Sequence, residues 1–196
     1  MTPTLQIVIA STRPGRVGAP VAEWVRAQAD KHGAFTSEIV DLAEVNLPFF
    51  DEPNHPRLGQ YVHQHTKDWS ATVQRADAFV FVMPEYNHGF NAVLKNALDF
   101  LHNEWKYKAV GLVAYGGVAA GSRAVQLIKP VLAALRMTPV VEAVLIPMVN
   151  TMIRDGAFEG NDALAASATA MLDELARVTA ALAPLRGGVG ALPAQA

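Results

Sequence analysis

The stretch STRPGRVG, residues 11–18, brings hydroxyl and guanidinium groups together in one short segment. Ser11 can donate and accept hydrogen bonds, and Arg13 and Arg16 can form charge-assisted bonds with an anion. A helix is predicted to begin near Val17, and the free N–H groups of a helix start favour a phosphate. The segment therefore predicts a phosphate site, although an ordinary polar turn with two solvated arginines would have the same composition. Neither GxGxxG nor GxxxxGK[ST] occurs, so the usual dinucleotide and nucleoside-triphosphate fingerprints are absent.

A second polar segment, PEYNHGF (84–90), directly follows the apolar run 78–83. Tyr86 offers an aromatic surface, and the amide of Asn87 can both donate and accept hydrogen bonds. Backbone N–H groups of such a loop can reach acceptors on the edge of a flat ring. Glu85 and His88 are equally compatible with solvated surface positions, so this segment alone does not separate a ligand-binding loop from a surface turn.

A third segment, YGGVAAGSR (115–123), follows another apolar run. Gly116 and Gly117 would let the backbone approach a ligand closely, and the start of the next helix can stabilise a partial negative charge. A flexible connection would contain the same glycines. Taken together, however, one segment suits a phosphate and two suit a planar heterocycle with acceptors along one edge. FMN has both parts.

All three segments follow predicted strands in a chain where strands and helices alternate. The strands are predicted at 5–10, 35–42, 78–83, 109–115 and 140–146. The helices are predicted at 17–32, 59–76, 91–101, 122–136 and 162–182. This alternation is typical of an α/β fold, a five-stranded parallel sheet with helices on both faces. Ligands bind such sheets at the carboxyl ends of the strands, where the three segments would lie.

Three further features concern the organisation of the chain. Residues 43–58 contain three prolines and are predicted to be irregular. Residues 1–186 are expected to form a single domain. The glycine-containing end at 187–196 has no periodicity and is predicted to be a disordered tail.

Composition narrows the possible functions. The 196 residues include no cysteine, which excludes disulfides, thiolate nucleophiles and cysteine-ligated metals. The net charge of −2 argues against nucleic acid as a partner. No signal-peptide pattern and no apolar run long enough to span a membrane occurs, so we expect a cytoplasmic protein without a membrane partner. His55, His63 and His65 could be considered as metal ligands, but solvated histidines fit their spacing better, and no metal site is predicted.

The three segments, together with DLAEVNLPFFDEP at 41–53, resemble the NAD(P)H-dependent FMN reductase family. The resemblance extends from about residue 5 to about residue 180, and PEYNHGFNAVLKNALDF is its most specific part. It implies a flavodoxin-like fold, non-covalently bound FMN, NADPH or NADH as hydride donor, and assembly as a homodimer or homotetramer.

The resemblance also implies which residues hold the cofactor. The FMN phosphate would be held by Ser11, Arg13, Arg16, Val17 and Gly18. The isoalloxazine ring would be held by Pro84, Glu85, Tyr86 and Asn87, with Tyr115, Gly116 and Gly117 at its opposite edge. Many relatives carry a serine and an asparagine as further phosphate ligands shortly after the first arginine, whereas this chain has Arg16 near that point, followed by Val17, Gly18, Ala19 and Pro20.

The function implied is hydride transfer from NAD(P)H through FMN to a small-molecule acceptor such as a flavin, quinone, azo compound or metal oxyanion. No acid–base catalytic residue is predicted, because the protein would mainly orient the rings. A flavodoxin-type electron carrier is the alternative. A hydrolase built on Ser11 or Ser122 is disfavoured by the absence of a GxSxG elbow.

The helix at 91–101 also carries an expectation about assembly. Its apolar positions Leu94, Leu98 and Leu101, with Trp105 and Tyr107 close behind, are predicted to exceed what one helix needs to dock on its own sheet. The family resemblance implies that this helix packs against a partner subunit and so completes the flavin site across the interface.

Overall fold

The computed structural model describes residues 2–187, so the predicted disordered tail lies outside the described residues from position 188 onward. The strands are β1 (Thr4–Ile9), β2 (Thr36–Asp41), β3 (Ala78–Tyr86), β4 (Gly89–Phe90), β5 (Ala109–Tyr115), β6 (Thr138–Ile146), β7 (Ile153–Arg154) and β8 (Ala157–Phe158). The α-helices are α1 (Gly18–His32), α2 (Leu42–Val45), α3 (Gln64–Gln74), α4 (Ala92–Asp99), α5 (Ser122–Ala134) and α6 (Asp162–Gly187). Three short 3₁₀ turns lie at Pro56–Leu58, Asn103–Trp105 and Val149–Met152.

Five strands form a parallel sheet in the order β2-β1-β3-β5-β6. Counting only these five strands, the order is 2-1-3-4-5, which is the flavodoxin-like arrangement. The predicted five-stranded parallel α/β sheet is therefore confirmed. Two short antiparallel additions were not predicted: β4 pairs with the end of β3, and β7 pairs with β8.

Both faces of the sheet are buried, which explains the continuous apolar runs of its strands. Along β3, Val80 and Val82 pack in one core cluster with α1 and α6. The intervening Phe79 and Phe81 pack in the other cluster with α3, α4 and α5. Successive side chains of a strand point to opposite faces, so one apolar strand supplies both cores.

The largest departure from the predicted elements concerns the segment after residue 83. It was predicted to be a loop, but β3 continues through Pro84 to Tyr86. Pairing of β3 with β1 ends at Val82, whereas pairing with β5 continues to Pro84 opposite Tyr115. Pro84 therefore has a strand neighbour on one side only, the edge-like position in which a missing N–H is tolerated.

The other helix and strand boundaries differ by a few residues. The predicted helix at 59–76 begins only at Gln64, the predicted helix at 91–101 spans Ala92–Asp99, and α6 runs to Gly187. The irregular region at 43–58 contains most of the short helix α2 and one 3₁₀ turn.

The prediction that α4 and the residues after it have more apolar surface than the monomer uses is wrong for four of the five residues named. Leu94, Leu98, Leu101 and Trp105 are all buried in the chain's own second core cluster. Trp105 lies edge-on to Trp69 and Phe79 and thus completes this cluster. These four side chains are used within the monomer and are not available to a partner, whereas Tyr107 is partly exposed and its hydroxyl accepts from Arg136.

Within residues 2–187, no helix is both long and apolar enough to cross a membrane.

Candidate functional site

A cavity of about 210 Å³ lies at the carboxyl edge of the sheet, beside the first loop. Nine of the twelve predicted site residues line it, so the three sequence segments do converge: Arg13, Arg16, Val17, Pro84, Glu85, Tyr86, Tyr115, Gly116 and Gly117. The remaining three, Ser11, Gly18 and Asn87, do not line the cavity.

The first loop presents free hydrogen-bond donors next to this cavity. Helix α1 begins at Gly18, and its N-cap residue Val17 makes no side-chain capping bond. Within residues 2–187, the backbone N–H groups of Thr12 and Arg13 have no protein acceptor. Arg13 is exposed, and its guanidinium has no ion-pair partner among residues 2–187. Unpaired donors at a helix start are suited to an anion.

Arg16, the second arginine of the loop, is differently placed. Its guanidinium forms a two-pronged ion pair with Asp41 at the end of β2, and also donates to the Ser11 carbonyl oxygen at 2.5 Å. Burial works against the charged form of Asp41. Bonds from Arg16 and from the Ala43 N–H outweigh that effect and hold the pKa of Asp41 below its usual value. Arg16 lines the cavity, but its charge is largely committed to fixing the loop against β2.

Ser11 and Gly18 form the floor behind the loop rather than the cavity wall. The Tyr115 hydroxyl donates to Ser11 Oγ at 3.1 Å, and both side chains are buried. Burial raises the pKa of Tyr115 to about 12, so the phenol stays protonated at neutral pH. A Cβ at Gly18 would overlap with Ser11 Oγ and the Tyr115 hydroxyl. Glycine at this position therefore permits the loop and β5 to meet.

The second wall is the hairpin formed by β3 and β4. Asn87 and His88 are its two turn residues, with φ angles of 49° and 72°, and Tyr86 pairs with Gly89 on either side. Two successive positive φ angles are the pattern of a type I′ turn, in which asparagine is favoured at the first position. The positive φ angle that this turn requires therefore explains why asparagine occupies position 87. Tyr86 is partly exposed on the cavity wall.

Glu85 is held by an ion pair from the neighbouring helix. Its side chain is only 6% exposed, and the Arg123 guanidinium at the start of α5 binds its carboxylate. The Arg123 N–H also donates to it at 3.2 Å. Burial disfavours the charged form, but Arg123 and the N–H groups of α5 offset this and lower the pKa of Glu85. A second Arg123 nitrogen lies 2.9 Å from His88 Nε2, which must accept because guanidinium only donates.

Sequence reasoning missed one complete wall of the cavity, the loop after β6 formed by Met148, Val149, Asn150 and Thr151. The Met148 N–H donates to Gly117 O at 3.1 Å and the Val149 N–H to Gly116 O at 3.3 Å. Its residue types carry no chemical signal. The available clue was topological, because β6 ends at the same edge of the sheet as β1, β3 and β5.

A second cavity of about 290 Å³ borders the first loop, between α2 and α4. Thr12, Asn46 and Asn96 are among its lining residues. The Asn96 amide is already bonded to the Phe50 N–H and the Pro48 carbonyl. This cavity offers no charged group, and so it fits a phosphate less well than the Arg13 side of the loop.

The histidines considered as metal ligands do not form a site. His63 and His65 stack with ring centroids 5.2 Å apart, and His65 Nε2 lies 3.0 Å from Asp51. No three His, Asp or Glu side chains between residues 2 and 187 converge in a way that could hold a metal ion.

Comparison with known proteins identifies the family of this chain. Residues 3–151 match the family model described as NADPH-dependent FMN reductase. An NAD(P)H-dependent FMN reductase of Schizosaccharomyces pombe is 40% identical over 151 residues, covering 75% of each chain. An FMN-dependent NADPH-azoreductase of Staphylococcus saprophyticus is 29% identical over 112 residues, covering 57% of this chain and 59% of that protein.

Among solved structures, the flavoenzyme NAD(P)H:(acceptor) oxidoreductase FerB of Paracoccus denitrificans has a TM-score of 0.73. It is 18% identical and covers 91% of this chain and 98% of its own, a likeness that supports the fold. The resemblance stated from the sequence motifs is confirmed by the family match and by the relatives that are similar in sequence. This chain belongs to the NADPH-dependent FMN reductase family.

Proposed function

We propose that the cavity at the carboxyl edge binds FMN, and that the protein passes hydride from NADPH or NADH through it to a small acceptor. The observation that carries this proposal is the convergence of the three loops on one cavity. One end of the cavity has hydrogen-bond donors without partners, which suit an anion, and the other end is lined by aromatic side chains and glycines. The flavodoxin-like strand order supports the same position, next to β1 and β3.

The FMN phosphate would lie against the first loop. The Thr12 and Arg13 N–H groups and the uncapped start of α1 supply neutral donors, and Arg13 supplies a free positive charge. Arg16 would act mainly by holding the loop in place through Asp41 and the Ser11 carbonyl. The first loop would thus bind the phosphate largely through Arg13 and its own backbone.

The flavin ring would lie between Pro84–Tyr86 and Tyr115–Gly117. At Gly117, nothing lies within 4 Å of the place a Cβ would occupy, so the backbone there opens directly to the cavity. FMN held there would supply the chemistry of hydride transfer between the nicotinamide and the acceptor. The chain's own groups orient the ring and present backbone dipoles, and no side-chain acid or base is required.

The cavity is smaller than the roughly 300–1,000 Å³ of pockets that enclose a drug-sized ligand. We infer that one side of the ring would stay open to solvent, where the nicotinamide and the acceptor can bind in turn. The azoreductase relative makes azo compounds one reasonable class of acceptor, beside flavins, quinones and metal oxyanions. The alternative of a flavodoxin-type electron carrier is not favoured, because the family and the similar sequences are reductases.

We also propose a homodimer or homotetramer, located in the cytoplasm where nicotinamide cofactors are available. Support for assembly comes from the segment between α2 and α3, where Phe49 is 87% exposed and Leu58 61% exposed. Light scattering at micromolar concentration should give at least twice the 21.0 kDa of one chain, and a monomer would contradict the assembly.

Two assays test the proposed activity. Apo-protein is titrated with FMN and with FAD, followed by flavin fluorescence, and tighter binding of FMN is expected because the loop offers one phosphate site. Steady-state oxidation of NADPH and NADH is then measured against a panel of flavin, quinone and azo acceptors. FMN binding without turnover of either nicotinamide would favour the electron carrier instead.

A further inference from the structure

The ion pair between Glu85 and Arg123 joins the wall of the flavin cavity to a helix behind it. Glu85 lines the cavity, whereas Arg123 does not. Arg123 lines a separate surface depression of about 360 Å³ with His88 and Leu127. The guanidinium thus reaches the carboxylate from outside the cavity, and 47% of the Arg123 side chain remains exposed to solvent.

A buried carboxylate beside a flavin has an electrostatic consequence. Hydride delivers two electrons and one proton, so a ring that accepts it gains one negative charge. An unpaired carboxylate in the cavity wall would oppose that charge in a region of low dielectric constant. The Glu85 carboxylate is ionised at neutral pH, since Arg123 and the N–H groups of α5 lower its pKa.

We propose that Arg123 sets the reduction potential of the bound flavin by neutralising Glu85, and so is a positioning residue for hydride transfer. This inference rests on the proposed FMN site. Arg123 touches neither the ring nor the nicotinamide in this account, and it acts only through the carboxylate it pairs with. The contact from Arg123 to His88 Nε2 holds the guanidinium at the hairpin, so that it faces Glu85 rather than solvent.

Glu85 also has a structural role that must be separated from this electrostatic one. Helix α5 has Gly121 as its N-cap and no side-chain capping bond from it. The Glu85 carboxylate accepts the Arg123 N–H and so caps this helix from another element. Glutamine at position 85 keeps an oxygen acceptor for that bond and removes only the charge.

The test measures the flavin reduction potential at equilibrium with a reference dye, at pH 8, where a carboxyl with an ordinary pKa of about 4.3 is ionised. Arg123→Gln should lower the equilibrium constant for two-electron reduction about tenfold. That is the order expected for one charge acting over ~10 Å at an effective dielectric constant of ~20. A tenfold change corresponds to about 30 mV for a two-electron couple.

Three further variants isolate the pair. Glu85→Gln should raise the equilibrium constant by a similar factor, and the double variant should return to within about threefold of the parent, about 14 mV. Arg123→Lys retains a positive charge and should restore most of the parent potential. Arg177→Gln, which breaks an exposed ion pair with Glu174 on α6, serves as the matched control and should change nothing.

The outcomes separate this inference from the proposed function. If the parent protein binds no FMN, the proposed function fails and the inference fails with it. If FMN binds and Arg123→Gln and Glu85→Gln both keep the parent potential, only the inference is overturned. Should Arg123→Gln fold poorly, Glu85→Gln decides alone, because it preserves the shape and the capping bond, and an unchanged or lower potential would contradict the proposal.

Discussion

At the carboxyl edge of the sheet, Arg13 is exposed and has no partner among the described residues. At the amino edge, the charged side chains that line the larger cavity bond to one another, to neutral side chains or to the backbone. Asp77, just before β3, accepts the Thr4 N–H at 2.9 Å and the Arg186 guanidinium at 3.1 Å. Lys108, just before β5, donates to the Val73 carbonyl at 2.7 Å. The amino edge even has the larger cavity, about 440 Å³ against about 210 Å³.

If the proposed FMN site is right, the larger of these two cavities is not the ligand site, and unpaired donors rather than cavity size identify it. A cavity whose polar groups already have partners gives a polar ligand little to gain, because each new bond replaces an existing one. The carboxyl edge keeps donors without partners and therefore has binding energy to offer. Changes at the carboxyl edge should alter flavin binding, and changes at the amino edge should alter folding.

The largest expected effect is on FMN affinity. Arg13→Ala removes the free guanidinium and should weaken FMN binding by about 10- to 150-fold, the loss of a charge-assisted bond of about 1.5–3 kcal/mol. The free energy of unfolding of the apo-protein should not change, because Arg13 has no described protein partner. Fluorescence titration and urea denaturation measure the two quantities. Arg26→Ala, which removes an exposed arginine from α1, is the control, and equal FMN affinity in Arg13→Ala and the parent would refute the phosphate site.

The next effect concerns Lys108 and pH. Burial lowers the pKa of Lys108 to about 8, below its ordinary 10.5, and the residue is 6% exposed. Between pH 8 and pH 10.5 the unfolded chain keeps a proton on this amine that the folded protein has released. The contribution of Lys108 to the free energy of unfolding therefore increases as pH rises. From pH 7 to pH 10 its contribution should grow by about 2 kcal/mol.

Lys108→Met should lack this rise while leaving FMN affinity unchanged. Urea denaturation at several pH values compares the variant with the parent, and Lys106→Met, a less buried neighbour, serves as control. A parent and a Lys108→Met variant with parallel pH profiles would show that the buried amine does not titrate in this window.

A smaller effect is expected at Tyr86, on the cavity wall. Tyr86→Ala should lower kcat roughly tenfold even when FMN is saturating, because the ring would lose one of its positioning contacts. Arg13→Ala measured under the same saturating conditions should keep a kcat close to that of the parent, since the phosphate lies away from the reacting part of the ring. If both variants showed the same kcat at saturation, the proposal that Arg13 binds the phosphate whereas Tyr86 positions the ring would be contradicted.

The smallest effect should come from Arg16, which lines the cavity and also forms an ion pair that stabilises the fold. Arg16→Ala leaves the mostly buried Asp41 without its ion pair, which should cost about 1 kcal/mol of stability for this partly exposed pair. The pKa of Asp41 is lowered in the folded state, so the stabilisation is present at neutral pH and is lost as pH falls through that pKa. Stability of parent and variant should therefore converge in acid. A constant difference down to low pH would contradict the role of Asp41.

Much of this account could be predicted from the sequence, and the remainder has identifiable physical causes. Apolar runs and the alternation of strands and helices predicted the parallel sheet, and the carboxyl ends of its strands predicted the edge at which the three loops meet. The flavodoxin-like arrangement itself was implied only by the family resemblance. The continuation of β3 through Pro84 was missed, since a proline normally ends an interior strand and only the shorter length of β1 makes it tolerable here.

Pairings between distant residues could not be read from one sequence. Arg16 with Asp41 and Glu85 with Arg123 depend on which loops the fold brings together, and their separations along the chain carry no periodic signal. The loop around Met148 was missed for the opposite reason, because ordinary residue types there contribute backbone and shape rather than chemistry.

A crystal structure of the protein grown with FMN tests the central claim most directly. The phosphate should lie within hydrogen-bond distance of the Thr12 and Arg13 N–H groups and of the Arg13 guanidinium. The flavin ring should lie between Pro84–Tyr86 and Tyr115–Gly117. A flavin bound instead between α2 and α4, beside Asn46 and Asn96, or in the larger cavity at the amino edge, would contradict it.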